Sequence, residues 1–489
     1  MSSADALARP EPPAELVAAL SEACGAEALL TDPADLVRYE RGWRYGVGRA
    51  ALVVRPRSSD EVAAVLRLCD QRGQRVHIAG ANTGLVGAST PDRTGEQVVL
   101  SLERLDRIVQ IDPAGRTATV EAGVTLGTLN QALAPHGLCF PIDLGADPQI
   151  GGMIATNTGG SRLLAHGDVR HNLLGLEVVL PDGERWSGLS GLRKDNTGLD
   201  WKQLFVGTSG AYGVITAAVL ELAPLPRQRS AAWVAAGDGE ALVQLLSALE
   251  RDTGGHLSAF EVLSREALEA TLAHGANLRR PFAGQAPRYA ALLECSSTLA
   301  PERLDLEALL TDACGRFLEQ HPEAAIEDVL LVRPEEGWHL RHQVSESLAQ
   351  RGRVIAMDLS VPRARLPAFS AAARRLVAEE FPGLVPHDFG HWGDGGTHFN
   401  LVYDPLEQAG RAGPGFDPER LRRAVLERVY RLCVEEFGGS FSAEHGLGPH
   451  NQAFAERHRP RHQRELEARL SALLDPRGRL RRGDDGPAR

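Results

Sequence analysis

Lysine is almost missing from this chain: among 53 basic residues only Lys194 and Lys202 are lysines. Arginine carries the rest, a bias that reads as GC-rich coding rather than as chemistry. Positive charge is also short overall. A formal net charge of −11 supplies no excess field for phosphates, which excludes general nucleic-acid binding. Cys24, Cys69, Cys139, Cys295, Cys314 and Cys433 are scattered, with no CxxC spacing. A disulfide framework or zinc ribbon is therefore not expected. Met1 to Pro13 has no basic stretch leading into an apolar one, and no apolar run is long enough to span a bilayer. The expectation is a cytoplasmic enzyme, peripheral to the inner membrane only through a partner. No internal repeat, low-complexity block or GxGxxG fingerprint is found, so a Rossmann site is disfavoured.

What remains is a globular composition, 43% hydrophobic and 24% charged over 489 residues, long enough for two to three folding units. Helical periodicity marks 14–24 and 59–72, the latter with Ser58 or Ser59 as N-cap and Gly73 as its stop. Short β-rich runs lie at 52–54, 75–78, 98–101, 117–120 and 213–216. After Pro224 and Pro226, longer helices (239–251, 302–319) alternate with strands (289–295, 353–361), a pattern of the α+β class. A hairpin near 386, a helix near 417–436 and a last helix reaching Leu474 complete the chain.

The densest motif is Gly390-His391-Trp392-Gly393-Asp394-Gly395-Gly396-Thr397-His398-Phe399-Asn400. Read as a hairpin closed by Gly393–Gly396, it pairs Trp392 with Thr397 and His391 with His398. Cross-strand partners have Cβ atoms roughly 4.5–5.5 Å apart, which suits two imidazoles sharing a metal ion. Asn400 lies two residues past His398, on the same face. Two glycine-rich loops, within 75–91 and at Gly151–Gly160, can present backbone N–H groups to phosphates without Cβ interference. Two such loops in one half imply a large ligand with several contacts.

Together these segments resemble the vanillyl-alcohol-oxidase superfamily of FAD-binding oxidoreductases. The resemblance is to its D-2-hydroxyglutarate and D-lactate dehydrogenase and glycolate oxidase flavin-subunit branch. It rests on AGANTGLVG (79–87), DLGADPQIGGMIATNTGG (143–160), LLGLEVVLPDG (173–183), LRKDNTGLDWKQLFVG (192–207), GVITAAVLEL (213–222), GHWGDGGTHFN (390–400), GGSFSAEHGLG (438–448) and LDPRGRL (474–480). It implies a two-part FAD-binding domain over 1–225 (core about 46–225) and an α+β substrate domain with the hairpin over 226–440. A C-terminal segment, 441–489, returns to complete the active site. It further implies FAD cradled by Pro56, Gly80, Asn82, Thr83, Gly84, Leu85, Pro141, Asp143, Gly151, Gly152, Thr156, Asn157 and Gly160, with Val214 and Ile215 along a ring wall. Covalent relatives place histidine where this chain has Asn82, so non-covalent FAD is expected. Ala81 and Ser209-Gly210-Ala211-Tyr212 depart from the usual pattern.

For the chemistry, the resemblance adds Glu444 to His391 and His398 as ligands of a divalent metal, zinc first, with manganese or iron as alternatives. His445 becomes the general base, Asn400 a hydrogen-bonding partner of the substrate, and Arg341 with Ser345, four apart in a helical segment, a carboxylate clamp. The expected partners are a small 2-hydroxy acid and an electron acceptor such as an electron-transfer flavoprotein, a quinone or a cytochrome, with a homodimer as one assembly the chain allows. Hydroxyglutarate-type relatives often carry lysine at the position of Ala356, which weakens the case for a dicarboxylate. The alternatives are a flavin-bearing electron-transfer subunit and a non-redox alkyl-glycerone-phosphate-synthase-like transferase. The second is expected to carry a consecutive histidine tract, which is absent.

Overall fold

The computed structural model describes residues 10–480; Met1 to Arg9, part of the stretch read above for a leader, lie outside them. The chain divides into two compact units. The first takes in the chain up to Gly159, Asp168–Pro224 and the chain from Glu444 on; the second is Gly160–Gly167 with Leu225–Ala443. Among the described residues, no helix is long and apolar enough to cross a membrane.

Among the described residues the first unit holds two main sheets and a two-stranded pair, Leu138–Cys139 with Ala223–Pro224. Strands Leu52–Val54, Val98–Ser101 and Val76–Ala79 run parallel, with Leu29–Leu30 antiparallel at the edge. The second sheet is antiparallel, in the order Ile108–Asp112, Thr117–Glu121, Val214–Glu221, Leu173–Val179, Arg185–Gly188. The crossover helix Ser59–Gln71 shows how local sequence builds the unit. Ser58 caps it by accepting the Glu61 N–H at 3.1 Å, and Glu61 reaches back to the Arg57 N–H at 2.8 Å. Val62, Val65, Leu66 and Cys69 then recur at helical spacing and are buried in the core.

The second unit is one large sheet in the order Ile326–Val332, Gln228–Ala236, Tyr289–Ser297, Leu257–Ser264, Val385–Gly390, Gly396–Tyr403, Arg353–Ile355; Asp358–Ser360 also pairs with Gly396–Tyr403. Helices such as Gly239–Asp252, capped by Asp238 through the Ala241 N–H at 2.8 Å, pack on it through Leu242, Leu245, Leu246 and Leu249. The segment 160–167 belongs to this unit because Arg162 is tied to a fully buried carboxylate. Its Nε and Nη2 donate to Glu294 Oε1 and Oε2 at 2.7 and 3.0 Å, and Glu294 also accepts from Trp338 Nε1 (2.8 Å) and Ser258 Oγ (2.9 Å).

Three expectations change. The stretch 353–361 is two short strands, interrupted at Ala356 and Met357, though both keep one register against Gly396–Tyr403. Ala356 therefore stands in line with Asn400. Gly151–Gly160 is not all loop: Ile150–Thr156 is helical and stops where Asn157 turns left-handed at φ 52°. The helix carrying Arg341 ends at His342, and Ser345 sits in the next one, Val344–Arg351.

Candidate functional site

In the first unit the loop after Val76–Ala79 holds Gly80 to Leu85. Asn82 takes a left-handed backbone (φ 57°), donates to the Arg41 carbonyl and accepts from Ser89 Oγ at 2.5 Å. Its side chain shapes the loop. Gln149 Oε1 is buried without a hydrogen-bond partner and faces Gly80, whose Cβ would lie 3.3 Å from it. A buried orphan acceptor beside a glycine loop is what a bound group with donors would satisfy. Gly152 fits a cradle too, with nothing within 4 Å of a Cβ there. The carbonyls of Val124 and Ala122 take the N–H groups of Ile150 and Gly151 at 2.8 Å each.

Other expected cradle residues are occupied differently. A Cβ on Gly151 would come 2.6 Å from Ala122 Cβ, so this glycine serves close packing. Thr156 Oγ1 bonds back to the Gly152 carbonyl at 3.0 Å, while Asn157 Nδ2 donates to Asp168 and its Oδ1 accepts from the Arg170 N–H. Val214 and Ile215 are buried in the hydrophobic core opposite Val179 and Val178. Pro56 and Pro141 are buried, Thr83, Gly84, Leu85 and Asp143 half-buried, and Gly160 is buried at the start of the segment that packs with the second unit.

In the second unit the hairpin is longer-looped than its glycines suggest. Strands Val385–Gly390 and Gly396–Tyr403 pair Phe389 with His398 and His387 with Asn400, so His391 is not the partner of His398. Residues 391–395 fold over instead, with the N–H groups of Asp394 and Gly396 both bonded to the His391 carbonyl at 3.1 Å. Trp392 anchors this fold: it is 2% exposed and packs 5.3 Å from the Tyr289 ring. Gly395, at φ 95° and with Val361 O only 2.4 Å from a Cβ, permits the fold.

The two imidazoles meet all the same, edge to face, with centroids 5.4 Å apart. Two histidines on one tetrahedral ion, with metal–nitrogen bonds near 2.0–2.1 Å, would have ring centroids roughly 5 Å apart, so the pair fits a shared metal. Asp358 stands directly opposite His398. Asn400 Oδ1 is buried without a hydrogen-bond partner. Ser440 pairs with Ser360, and the Ala443 N–H bonds to the Asp358 carbonyl at 3.3 Å. Glu444 and His445 are the next two residues of the chain, in the first unit.

Comparison with known proteins decides the family. Residues 50–187 match the FAD binding domain family, and residues 225–484 match FAD linked oxidases, C-terminal domain. The chain belongs to the FAD-linked oxidase family. This oxidase is 34% identical over 460 residues to D-2-hydroxyglutarate dehydrogenase, mitochondrial, of Bos taurus, covering 92% of this chain and 80% of the relative. It is 32% identical over 471 residues to D-2-hydroxyglutarate dehydrogenase of Xanthomonas citri pv. viticola, covering 94% of each. Its fold is that of a solved alkyldihydroxyacetonephosphate synthase, with TM-score 0.71 at 16% identity over 97% of this chain and 86% of that one.

Sequence reasoning missed the carboxylates of the oxidase's second unit. Arg341, read as a clamp, is buried and donates from Nε to Glu261 Oε2 at 2.6 Å, with its guanidinium 4.8 Å over the Phe389 ring. The other oxygen, Glu261 Oε1, meets His391 Nδ1 at 2.5 Å. Burial alone would raise the Glu261 carboxyl, but the charges of Arg341 and His391 overcome it and hold it at about 2. Ser345 is half-buried. The available signal was a lone carboxylate in an otherwise uncharged strand, LSAFEVLS over 257–264, since acidic residues are almost never fully buried without partners.

Proposed function

We propose that this FAD-linked oxidase oxidises a D-2-hydroxy acid to the 2-oxo acid with the help of a divalent metal. The observation that carries the reading is the converging pair His391 and His398 beside Asn400, whose buried Oδ1 lacks a partner. An acceptor without a donor calls for an O–H or N–H group, and the hydroxyl of a 2-hydroxy acid supplies one until its proton passes to a base. Relatives named D-2-hydroxyglutarate dehydrogenase support the substrate class.

Bound FAD supplies an acceptor for the C2 hydride, and a bound divalent ion acidifies the substrate hydroxyl. His391 and His398 would hold the ion with Glu444 as third ligand, zinc being the first expectation. His445 accepts the hydroxyl proton at a ring nitrogen. Asn400 orients the hydroxyl, and the terminal nitrogens of Arg341 receive the 1-carboxylate, with Ser345 as an added donor. Gly80 to Leu85, Gln149 and Gly152 hold the flavin non-covalently. A flavoprotein, quinone or cytochrome would take up the electrons removed from the substrate. Alkyl transfer has no comparable support, since the likeness to the synthase is one of fold.

The test is anaerobic bleaching of the flavin absorbance by a panel of D- and L-2-hydroxy acids. D-acids bleach the metal-loaded enzyme and stop doing so after chelation, while flavin stays bound. If no 2-hydroxy acid bleaches a metal-loaded sample, the dehydrogenase reading is wrong.

A further inference from the structure

We infer that Glu261 is a positioning residue that couples the metal ligand His391 to the carboxylate-binding Arg341. The inference rests on the proposed metal-assisted oxidation and adds a residue to it. Glu261 lies on Leu257–Ser264, every residue of which is buried, and is itself 1% exposed. Its two oxygens serve different partners: Oε1 takes His391 Nδ1 at 2.5 Å and Oε2 takes Arg341 Nε at 2.6 Å.

Each contact has a directional consequence. An ionised carboxylate only accepts, so His391 Nδ1 must carry a proton, which leaves the Nε2 lone pair as the ligating atom. An imidazole held in this way has its tautomer and ring plane fixed before a metal arrives. On the other side, Arg341 spends Nε rather than its forked end. Its terminal nitrogens make no hydrogen bond among the described residues, and the Phe389 ring, 4.8 Å from Cζ, holds the guanidinium plane. One buried carboxylate thus sets the tautomer at the hydroxyl end of the substrate and the fork direction at the carboxylate end. The strand order makes this possible: Val262 pairs with Gly390, which places Glu261 one residue from the turn into His391.

The test uses Glu261→Gln in the full-length flavoprotein, stripped of metal and titrated with zinc alone against a competing chelator. Glutamine offers one acceptor and one donor. With its oxygen on Arg341 Nε–H, its amide N–H₂ faces His391 Nδ1 and drives the proton to Nε2, where it blocks ligation. Zinc affinity is expected to fall by on the order of 10–100-fold, with the flavin-to-protein ratio retained. At saturating zinc, KM for the hydroxy acid rises by on the order of tenfold, as a neutral amide oxygen holds the Arg341 Nε–H more weakly than the carboxylate did. A merely structural ion pair would leave the zinc affinity of the folded, flavin-bearing fraction unchanged, and that result overturns the inference. If Glu261→Gln does not fold, Glu261→Leu with Arg341→Met removes both buried charges and still leaves His391 without its partner. Zinc affinity equal to that of the parent in this double variant also overturns the inference. A parent enzyme that binds no zinc refutes the metal reading itself and this inference with it; the parent titration tells the two failures apart.

Discussion

Gly151 and Gly152 are neighbours in one short helix, and exchanging each for alanine separates packing from cofactor binding. A methyl on Gly151 would lie 2.6 Å from Ala122 Cβ and 3.1 Å from the Ala122 carbonyl oxygen. Carbon atoms prefer about 3.5–4.0 Å, so the helix must shift by close to an ångström. That shift breaks the geometry of the Gly151 N–H bond to Ala122 O, now 2.8 Å. Overpacking of this kind costs about 1–3 kcal/mol, against a gain near 0.8–1.0 kcal/mol from replacing glycine in a helix. Gly151→Ala should therefore lose up to about 2 kcal/mol. A methyl on Gly152 meets nothing within 4 Å, so Gly152→Ala keeps the propensity gain and leaves the flavin-free chain as stable or about 1 kcal/mol more so. If the flavin approaches this position, the same methyl weakens FAD binding by about tenfold or more, since a 1.4 kcal/mol steric cost is one decade. Urea denaturation of the deflavinated variants and fluorescence titration with FAD read the two effects separately. Unchanged FAD affinity in Gly152→Ala would remove Gly152 from the cradle, and an undiminished urea midpoint in Gly151→Ala would refute the packing argument.

Three further outcomes are expected. Glu294→Ala leaves the half-buried Arg162 without its carboxylate and should cost about 3 kcal/mol in urea, whereas Glu294→Leu with Arg162→Met should recover most of it; equal losses in both variants would contradict the account. His166 and His387 are held below their ordinary value of 6.5, in both cases first by burial and then by nearby arginines, although for His387 a bond to the Val385 carbonyl and the Glu266 charge act the other way. The folded state then binds fewer protons than the unfolded one, so stability is complete above pH 6.5 and falls as the pH drops through it toward the folded values. Denaturation midpoints at pH 8 and pH 6 should show that decline, and His166→Asn should lessen it, leaving the His387 part. Ala356→Lys, in line with Asn400 on the paired strand, should raise kcat/KM for a 2-hydroxy dicarboxylate over a monocarboxylate by about tenfold, the worth of one charge-assisted hydrogen bond; an unchanged ratio would place the substrate tail elsewhere.

The features legible in the sequence were those decided by neighbours along the chain. The helix Ala14–Cys24, the strand Val98–Ser101 and the end of the last helix at Leu474 fall where periodicity puts them, because cap, spacing and stop lie within one short window. The flavin-binding class was legible as well, since long motifs in a fixed order carry the family. What could not be read depends on partners brought in from a distance. The rung between His391 and His398 was inferred from loop glycines alone, and the observed fold instead buries Trp392 beside Tyr289, a residue from another strand. Glycine composition suggested a loop where Ile150–Thr156 is a helix, because its cost is met by the close approach to Ala122.

Glu261 shows the limit most clearly. A single carboxylate in an uncharged strand announces that it must have partners, but their identity follows from strand order. Leu257–Ser264 lies between Tyr289–Ser297 and Val385–Gly390, and only the latter neighbour ends at His391. Arginine scarcely titrates, so burying it at 8% exposure requires an anion nearby. The site residue named from sequence therefore presupposed one that sequence could not name. The physical content of the active-site reading lies in that pair, because a clamp without Glu261 would be a buried charge with no orientation.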